Sequence, residues 1–126
     1  MQLLIVDDES FLVENLARYL QKSVQAEIFT ATCPEDALAI AQSRALDLIV
    51  CDLNIGGSGE GALIRRLQQM KPGMKFIVIS AMEIPDDMQD LKNNILHYFE
   101  KPFNMREFQE EIENIITNNF QKSQVN

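Results

Sequence analysis

Short unbroken aliphatic runs alternate along the chain with stretches whose apolar side chains recur every three or four positions. Leu3-Leu4-Ile5-Val6 is the first run. Phe11, Leu12, Leu16 and Leu20 follow at helical spacing and predict a helix over about Ser10 to Lys22. Glu27–Ala31, with Ile28 and Phe29, reads as a second strand. Pro34 suits the first turn of a helix, where its missing N–H costs nothing, and Ala37, Leu38 and Ala41 continue that helix. Leu48-Ile49-Val50-Cys51 is a third strand ending at Asp52. A Gly-rich loop comes next, and then a helix carrying Leu63, Ile64, Leu67 and Met70, stopped by Lys71-Pro72-Gly73. Phe76–Ile79 is the fourth strand, ending at Ser80. A short helix with a thin apolar face, Met88 and Leu91, is predicted from Asp86 to Asn93, and Ile95–Phe99 is the fifth strand. Met105, Phe108, Ile112, Ile115 and Ile116 form the apolar stripe of a last amphipathic helix.

These are five repeats of strand then helix. The strands are continuous apolar runs rather than alternating ones, the pattern of a parallel sheet covered on both faces. Right-handed crossovers then give an open, doubly wound α/β sheet, whose ligands bind outside the carboxyl ends of the strands. A chain of 126 residues suits one compact domain, placed at residues 1–118. The polar residues 119–126 read as a flexible tail or the start of a linker.

Composition narrows the partners. Hydrophobic residues make up 46%, enough for an ordinary core. The formal charge of −8 disfavours nucleic acid, which needs Lys and Arg against phosphates, and disfavours an anionic membrane surface. No stretch approaches the roughly 18 apolar residues of a membrane span. The N-terminus lacks the basic region of a signal peptide, and the two cysteines, Cys33 and Cys51, form no CxxC pair. A cytoplasmic protein with free thiols is expected.

The chemistry is expected where the strands end. Asp7, Asp8 and Glu9 follow the first strand, Asp52 ends the third, Ser80 and Ala81 follow the fourth, and Lys101-Pro102 follow the fifth. If the first, third, fourth and fifth strands are neighbours, these residues converge on one site of carboxylates, a hydroxyl and an ammonium. Hard oxygen ligands of this kind suit Mg²⁺.

These pieces carry a resemblance. "VDDE", "DLIVCDLN", "IVISA" and "YFEKPF", in this order and on these strand ends, resemble the receiver domain of bacterial two-component response regulators, close in layout to the stand-alone chemotaxis receiver. The resemblance runs from about Gln2 to Asn118. It implies a flavodoxin-like, three-layer α/β/α fold with strand order 2-1-3-4-5. It also implies a phosphoacceptor module that takes a phosphoryl group from a sensor histidine kinase or histidine phosphotransfer protein onto Asp52. In that role the chain is not an enzyme; it catalyses only its own aspartyl phosphorylation and dephosphorylation. Asp7, Asp8, Asp52 and the Asn54 carbonyl are then the Mg²⁺ ligands, with Asp8 direct and Asp7 acting largely through a bound water. Ser80 and Lys101 contact the phosphoryl oxygens, and the backbone N–H groups of Leu53 and Ala81 are further donors. Pro102 matches the family's cis-proline. Ser80 and Tyr98 match its switch pair, which remodels the face of the fourth helix, fifth strand and fifth helix for a partner or for dimerisation.

The chain departs from the family pattern at "NIGGSGEG", whose glycines predict a looser loop after Asp52, and at "LKNNILHYF", where the usual small turn before the fifth strand is missing. The Gly-rich stretch lacks the GK[ST] ending of a P-loop. His97 reads as structural or surface, Cys51 as a small buried hydrophobe and Glu9 as the start of the first helix. A haloacid-dehalogenase-like phosphohydrolase uses a similar residue set, but with the nucleophile in a DxD pattern after the first strand; Asp7-Asp8-Glu9 lacks it. A degenerate receiver acting as a scaffold is the other alternative. The downstream target, and whether the chain stands alone or is cut from a longer protein, are left open.

Overall fold

A computed structural model describes residues 1–57, 59 and 61–120. Five parallel strands, β1 (Gln2–Val6), β2 (Glu27–Ala31), β3 (Leu48–Asp52), β4 (Lys75–Ser80) and β5 (Ile95–Glu100), form one sheet in the order β2-β1-β3-β4-β5. The helices are α1 (Ser10–Gln21), α2 (Pro34–Ser43), α3 (Ala62–Met70) and α4 (Met105–Phe120). The doubly wound sheet with strand order 2-1-3-4-5 is the expected fold.

Side chains alternate across the sheet, and both faces are dry. Leu4, Val6, Ile49, Cys51, Phe76 and Val78 face one core, closed by Ala37 and Ala41 of α2 and by Leu63, Ile64 and Leu67 of α3. Leu3, Ile5, Leu48, Val50, Ile77 and Ile79 face the other, closed by Val13, Leu16 and Leu20 of α1 and by Phe108, Ile112 and Ile116 of α4. That is why the central strands read as unbroken apolar runs.

Three elements differ from the sequence reading. The stretch before β5 is a 3₁₀ segment, Asp86–Asn94, that leaves helical geometry at Met88 (φ −100°, ψ 18°). Its buried residues, Met88 and Leu91, lie three apart, a spacing that a 3₁₀ helix eclipses and an α-helix also allows, so the pattern does not separate the two. The last helix continues to Phe120, which packs against the α1–α4 core, two residues past Asn118. The remainder of the expected tail, 121–126, lies outside the described residues, as do Ser58 and Glu60 of the Gly-rich loop. In that loop two glycines serve close approach rather than slack. Gly56 (φ +85°) leaves no room for a Cβ, which would stand 2.6 Å from Pro34 Cγ, and Gly61 (φ +75°) is crowded in the same way by Met88.

Candidate functional site

The parallel register brings the carboxyl ends of β1, β3, β4 and β5 to one edge, with Val6 beside Cys51, Asp52 beside Ile79 and Ser80 beside Glu100. Asp7 continues β1 by one residue, its N–H donating to the Ala31 carbonyl at 3.2 Å. Its carboxylate is fully buried; Oδ1 accepts the Glu9 N–H at 2.9 Å and Oδ2 faces the Lys101 ammonium at 2.7 Å. Asp52 closes β3, with Oδ1 accepting the Asn54 N–H at 3.2 Å and Oδ2 lying 3.4 Å from Lys101 Nζ.

Lys101 is held from both sides. Its N–H donates to the Ser80 carbonyl at 2.7 Å, joining the end of β5 to β4. After it the chain turns through a cis Lys101–Pro102 peptide, as the resemblance implies. Phe103 then packs with Phe99 and Phe108, ring centroids 5.1–5.6 Å apart. Asn104 caps α4, its side-chain oxygen accepting the N–H groups of Arg106 and Glu107 at 2.8 and 3.2 Å. Rigid neighbours on each side fix where the lysine stem starts.

The electrostatics follow from crowding. Asp7, Asp8 and Asp52 present carboxylate oxygens all within 4.8 Å of one another, and Glu9 adds a fourth carboxylate 3.6 Å from the same ammonium. Burial pushes the Asp7 carboxyl above its ordinary pKa, more than the Lys101 hydrogen bond draws it down. Burial also pulls against the Lys101 ammonium, but the hydrogen bond and charge of Asp7, then the charges of Asp52 and Glu9, outweigh it and hold its pKa above the usual 10.5. One ammonium does not balance so many carboxylates. The buried Asp7 Oδ2 has the Lys101 ammonium at 2.7 Å as its neighbour, an ammonium that it shares with Asp52 and Glu9. An all-oxygen cluster of this charge fits a hard divalent cation.

Of the two backbone donors expected near Asp52, Leu53 is committed elsewhere: its N–H donates to the Ile79 carbonyl at 3.0 Å as part of the sheet. The Asn54 N–H is the one that faces the Asp52 carboxylate. Ala81 lies at the exposed rim, lining a cavity of about 440 Å³ with Glu9, Leu12, Lys101, Pro102 and Phe103.

Ser80 and Tyr98 are joined through one residue. The buried Ser80 Oγ accepts the Met82 N–H at 3.1 Å, and the Tyr98 hydroxyl donates to the Met82 carbonyl. Burial, then the charges of Glu100 and Glu83, raise the Tyr98 phenol, which keeps it a donor. Sequence reasoning missed Met82 because it acts through its backbone, which leaves no residue-type signal. It also missed the Glu9 contact with Lys101. Glu9 does start α1, but its side chain makes no capping hydrogen bond. Cys51 is buried, and its thiol is pushed well up by burial and then by Asp52 and Asp7, so it packs as a hydrophobe. His97 lies edge-on to Phe99 at 4.6 Å, a structural contact.

Residues 3–113 match the profile of the family described as "Response regulator receiver domain". Among curated proteins the chain is similar to the transcriptional regulatory protein YvrH of Bacillus subtilis (strain 168), 28% identical over 81% of this chain and 43% of that protein. It is also similar to the response regulator receiver protein Anae109_2439 of Anaeromyxobacter sp. (strain Fw109-5), 33% identical over 67% of this chain and 34% of that one. The chain thus spans less than half the length of these relatives. In fold it matches a CheY-like receiver domain protein from Methanospirillum hungatei JF-1, with a TM-score of 0.80 at 23% identity, covering 96% and 97% of the two chains.

Proposed function

The chain belongs to the response regulator receiver domain family, and on that premise we propose that it is a signalling switch whose phosphoacceptor is Asp52. The observation that carries this reading is the Lys101 ammonium, 2.7 Å from Asp7 and 3.4 Å from Asp52 at the edge where the strands end.

An Asp52 carboxylate oxygen attacks the phosphorus of a phosphoimidazole on a sensor kinase or phosphotransfer protein. The P–N bond breaks, its electron pair stays with the imidazole nitrogen, and an acyl phosphate remains on Asp52. A carboxylate nucleophile carries no proton that must be removed for attack, so the barrier is mainly repulsion between two anions. Lys101 lowers it by pairing with a phosphoryl oxygen, and the Ser80 hydroxyl and the N–H groups of Asn54 and Ala81 donate to the others. Asp7, Asp8, Asp52 and the Asn54 carbonyl would hold Mg²⁺, which would supply further positive charge against that repulsion. As Ser80 Oγ turns to the phosphoryl group it leaves the Met82 N–H. Met82 is then released to move, and Tyr98, bonded to its carbonyl, moves with it. The surface of the 3₁₀ segment, β5 and α4 is the output face, for a downstream protein or a second copy.

The phosphohydrolase alternative makes the residue after β1 the nucleophile. Asp7 is buried and paired with Lys101, which leaves it poorly placed to attack. No helix among the described residues is long and apolar enough to cross a membrane, in keeping with a cytoplasmic site of action.

The test is labelling by acetyl phosphate with Mg²⁺. Wild type takes about one phosphoryl group per chain, and Asp52→Asn takes none. Full labelling of Asp52→Asn removes Asp52 from the role. Steady turnover of a phosphoester that disappears in Asp7→Asn selects the phosphohydrolase.

A further inference from the structure

The loop that leaves Asp52 is pinned at its far end by Gly61. The Gly61 N–H donates to the Leu53 carbonyl at 2.7 Å, closing the loop onto the residue next to the phosphoacceptor. The space a side chain at Gly61 would fill is taken by Met88. A Cβ there would stand 2.4 Å from Met88 Cε, 2.5 Å from Sδ and 3.6 Å from Leu53 Cδ1. Met88 is 1% exposed, and it is the residue at which the 3₁₀ segment leaves helical geometry. One thioether therefore rests on the backbone that closes the acceptor loop and also marks the bend of the output segment.

At its near end the loop touches the chemistry. The Asn54 N–H is bonded to the Asp52 carboxylate, and Leu53 is tied to β4 through Ile79. Phosphorylating an Asp52 oxygen turns the carboxylate into a mixed anhydride, a weaker acceptor, and places phosphoryl oxygens nearby, which offer the Asn54 N–H a different partner. Leu53 and Gly61 are hydrogen-bonded to each other and shift together. Close-packed contacts transmit displacements of tenths of an ångström because they hold no slack. The Ser80–Met82–Tyr98 chain shares none of these hydrogen bonds.

We propose that Met88 is a positioning residue that couples the acceptor loop to the 3₁₀ segment, giving the phosphoryl signal a second path to the output face that bypasses the Tyr98 hydroxyl. This rests on Asp52 being the phosphoacceptor. Of the described glycines in that loop, Gly61 is the one that admits Met88 against its backbone; Gly56 meets Pro34 instead.

The test uses protein labelled with ¹³C at the methionine methyls and titrated with beryllofluoride and Mg²⁺. The Met88 methyl is expected to shift in wild type, and to shift by a similar amount in Tyr98→Phe, which keeps the ring and loses the hydroxyl. In Gly61→Ala the Met88 shift should fall by more than half while the Ser80 and Lys101 amides still respond. Should Gly61→Ala not fold, Met88→Ala is read at the Leu91 methyls, where the same loss is expected. A Met88 methyl that stays still in wild type while the Asp52 and Ser80 amides move overturns the coupling. So does a response lost in Tyr98→Phe. Silence at Asp52 itself removes the phosphoacceptor reading and this inference with it.

Discussion

The carboxyl edge of the central strands and the 3₁₀ segment before β5 are held in opposite ways. At the edge, the Asp7, Asp52 and Lys101 side chains are each fixed by at least two neighbours, and the central strands below them are buried on both faces. The 3₁₀ segment is anchored in the core by Met88 and Leu91, with Arg65–Asp90 and an Asn94 side-chain bond to the Pro72 carbonyl at its surface. Chemistry that depends on electrostatic placement needs the first arrangement, because a misplaced donor loses most of its effect. A segment that must change shape on demand needs the second, since elements with few buried contacts reorganise at low cost.

The largest effect is expected from removing the one cation that the crowded edge shares. Lys101→Met should slow labelling by acetyl phosphate by about 100-fold, the scale of losing a transition-state charge partner. It should also destabilise the protein by about 2 kcal/mol, as when one member of a buried pair is left behind. Its alkaline behaviour gives the sign. A lysine whose folded pKa is raised contributes stability that is complete below its unfolded pKa and is lost as pH rises through the folded value. Wild type should therefore lose stability above about pH 10.5, and that part of the loss should be absent in Lys101→Met. Urea melts across pH 8 to 11 measure it. Loss of labelling without any change in the alkaline limb would mean that Lys101 contacts the phosphoryl group but does not hold the carboxylates.

The two regions also differ in how far the sequence reveals them. Val50 and Ile77 lie on strands buried on both faces, so hydrophobicity alone marks those strands. Asp7, Asp52 and Lys101 stand out because a charge that ends a buried run is conspicuous. Asp86–Asn94 offers little to read: two apolar residues three apart fit an α-helix or a 3₁₀ turn equally. Gly61 was legible only as a breaker of regular structure, since which side chain occupies the space of a missing Cβ is a tertiary fact. In the sequence Phe120 looks like part of a polar tail, because its neighbours are Asn118, Asn119 and Gln121, yet it packs against the core. The commitment of the Leu53 N–H to the sheet, and the relay through Met82, involve backbone groups that every residue possesses.

A smaller effect of opposite sign is expected at Asp7. Its raised pKa means that its ionised form is less favourable in the folded protein than in the unfolded chain. Stability should rise as pH falls from neutral through the folded Asp7 pKa toward the ordinary value of 3.8, other groups held equal. Asp7→Asn removes the charge and should raise Tm at pH 7 without divalent cation by roughly 5 °C, the scale of about 1 kcal/mol in a domain of this size. Millimolar Mg²⁺ should stabilise wild type and not the variant, narrowing or reversing the gap, because a ligand stabilises only the state that binds it. Thermal melts with Mg²⁺ and with chelator check both. A variant less stable than wild type in chelator would show that the Lys101 pair outweighs the burial of Asp7.

The smallest effect is expected at the surface of the 3₁₀ segment, where it separates two accounts of what holds that segment. Arg65 Nη1 and Asp90 Oδ2 are 2.9 Å apart, with side chains 36% and 60% exposed. Exposed pairs of this kind contribute under about 0.5 kcal/mol, because water screens the charges and ordering two long side chains opposes the gain. Asp90→Asn should therefore leave the melting curve within about 0.5 kcal/mol of wild type and leave the labelling rate unchanged. If Met88 on Gly61 is the anchor, the Met88 methyl response to beryllofluoride should survive the change as well. A loss above about 1 kcal/mol, or a lost methyl response, would put the anchor at the ion pair, and the path from Asp52 to the output face would then run through α3 rather than through the closing residue of the acceptor loop.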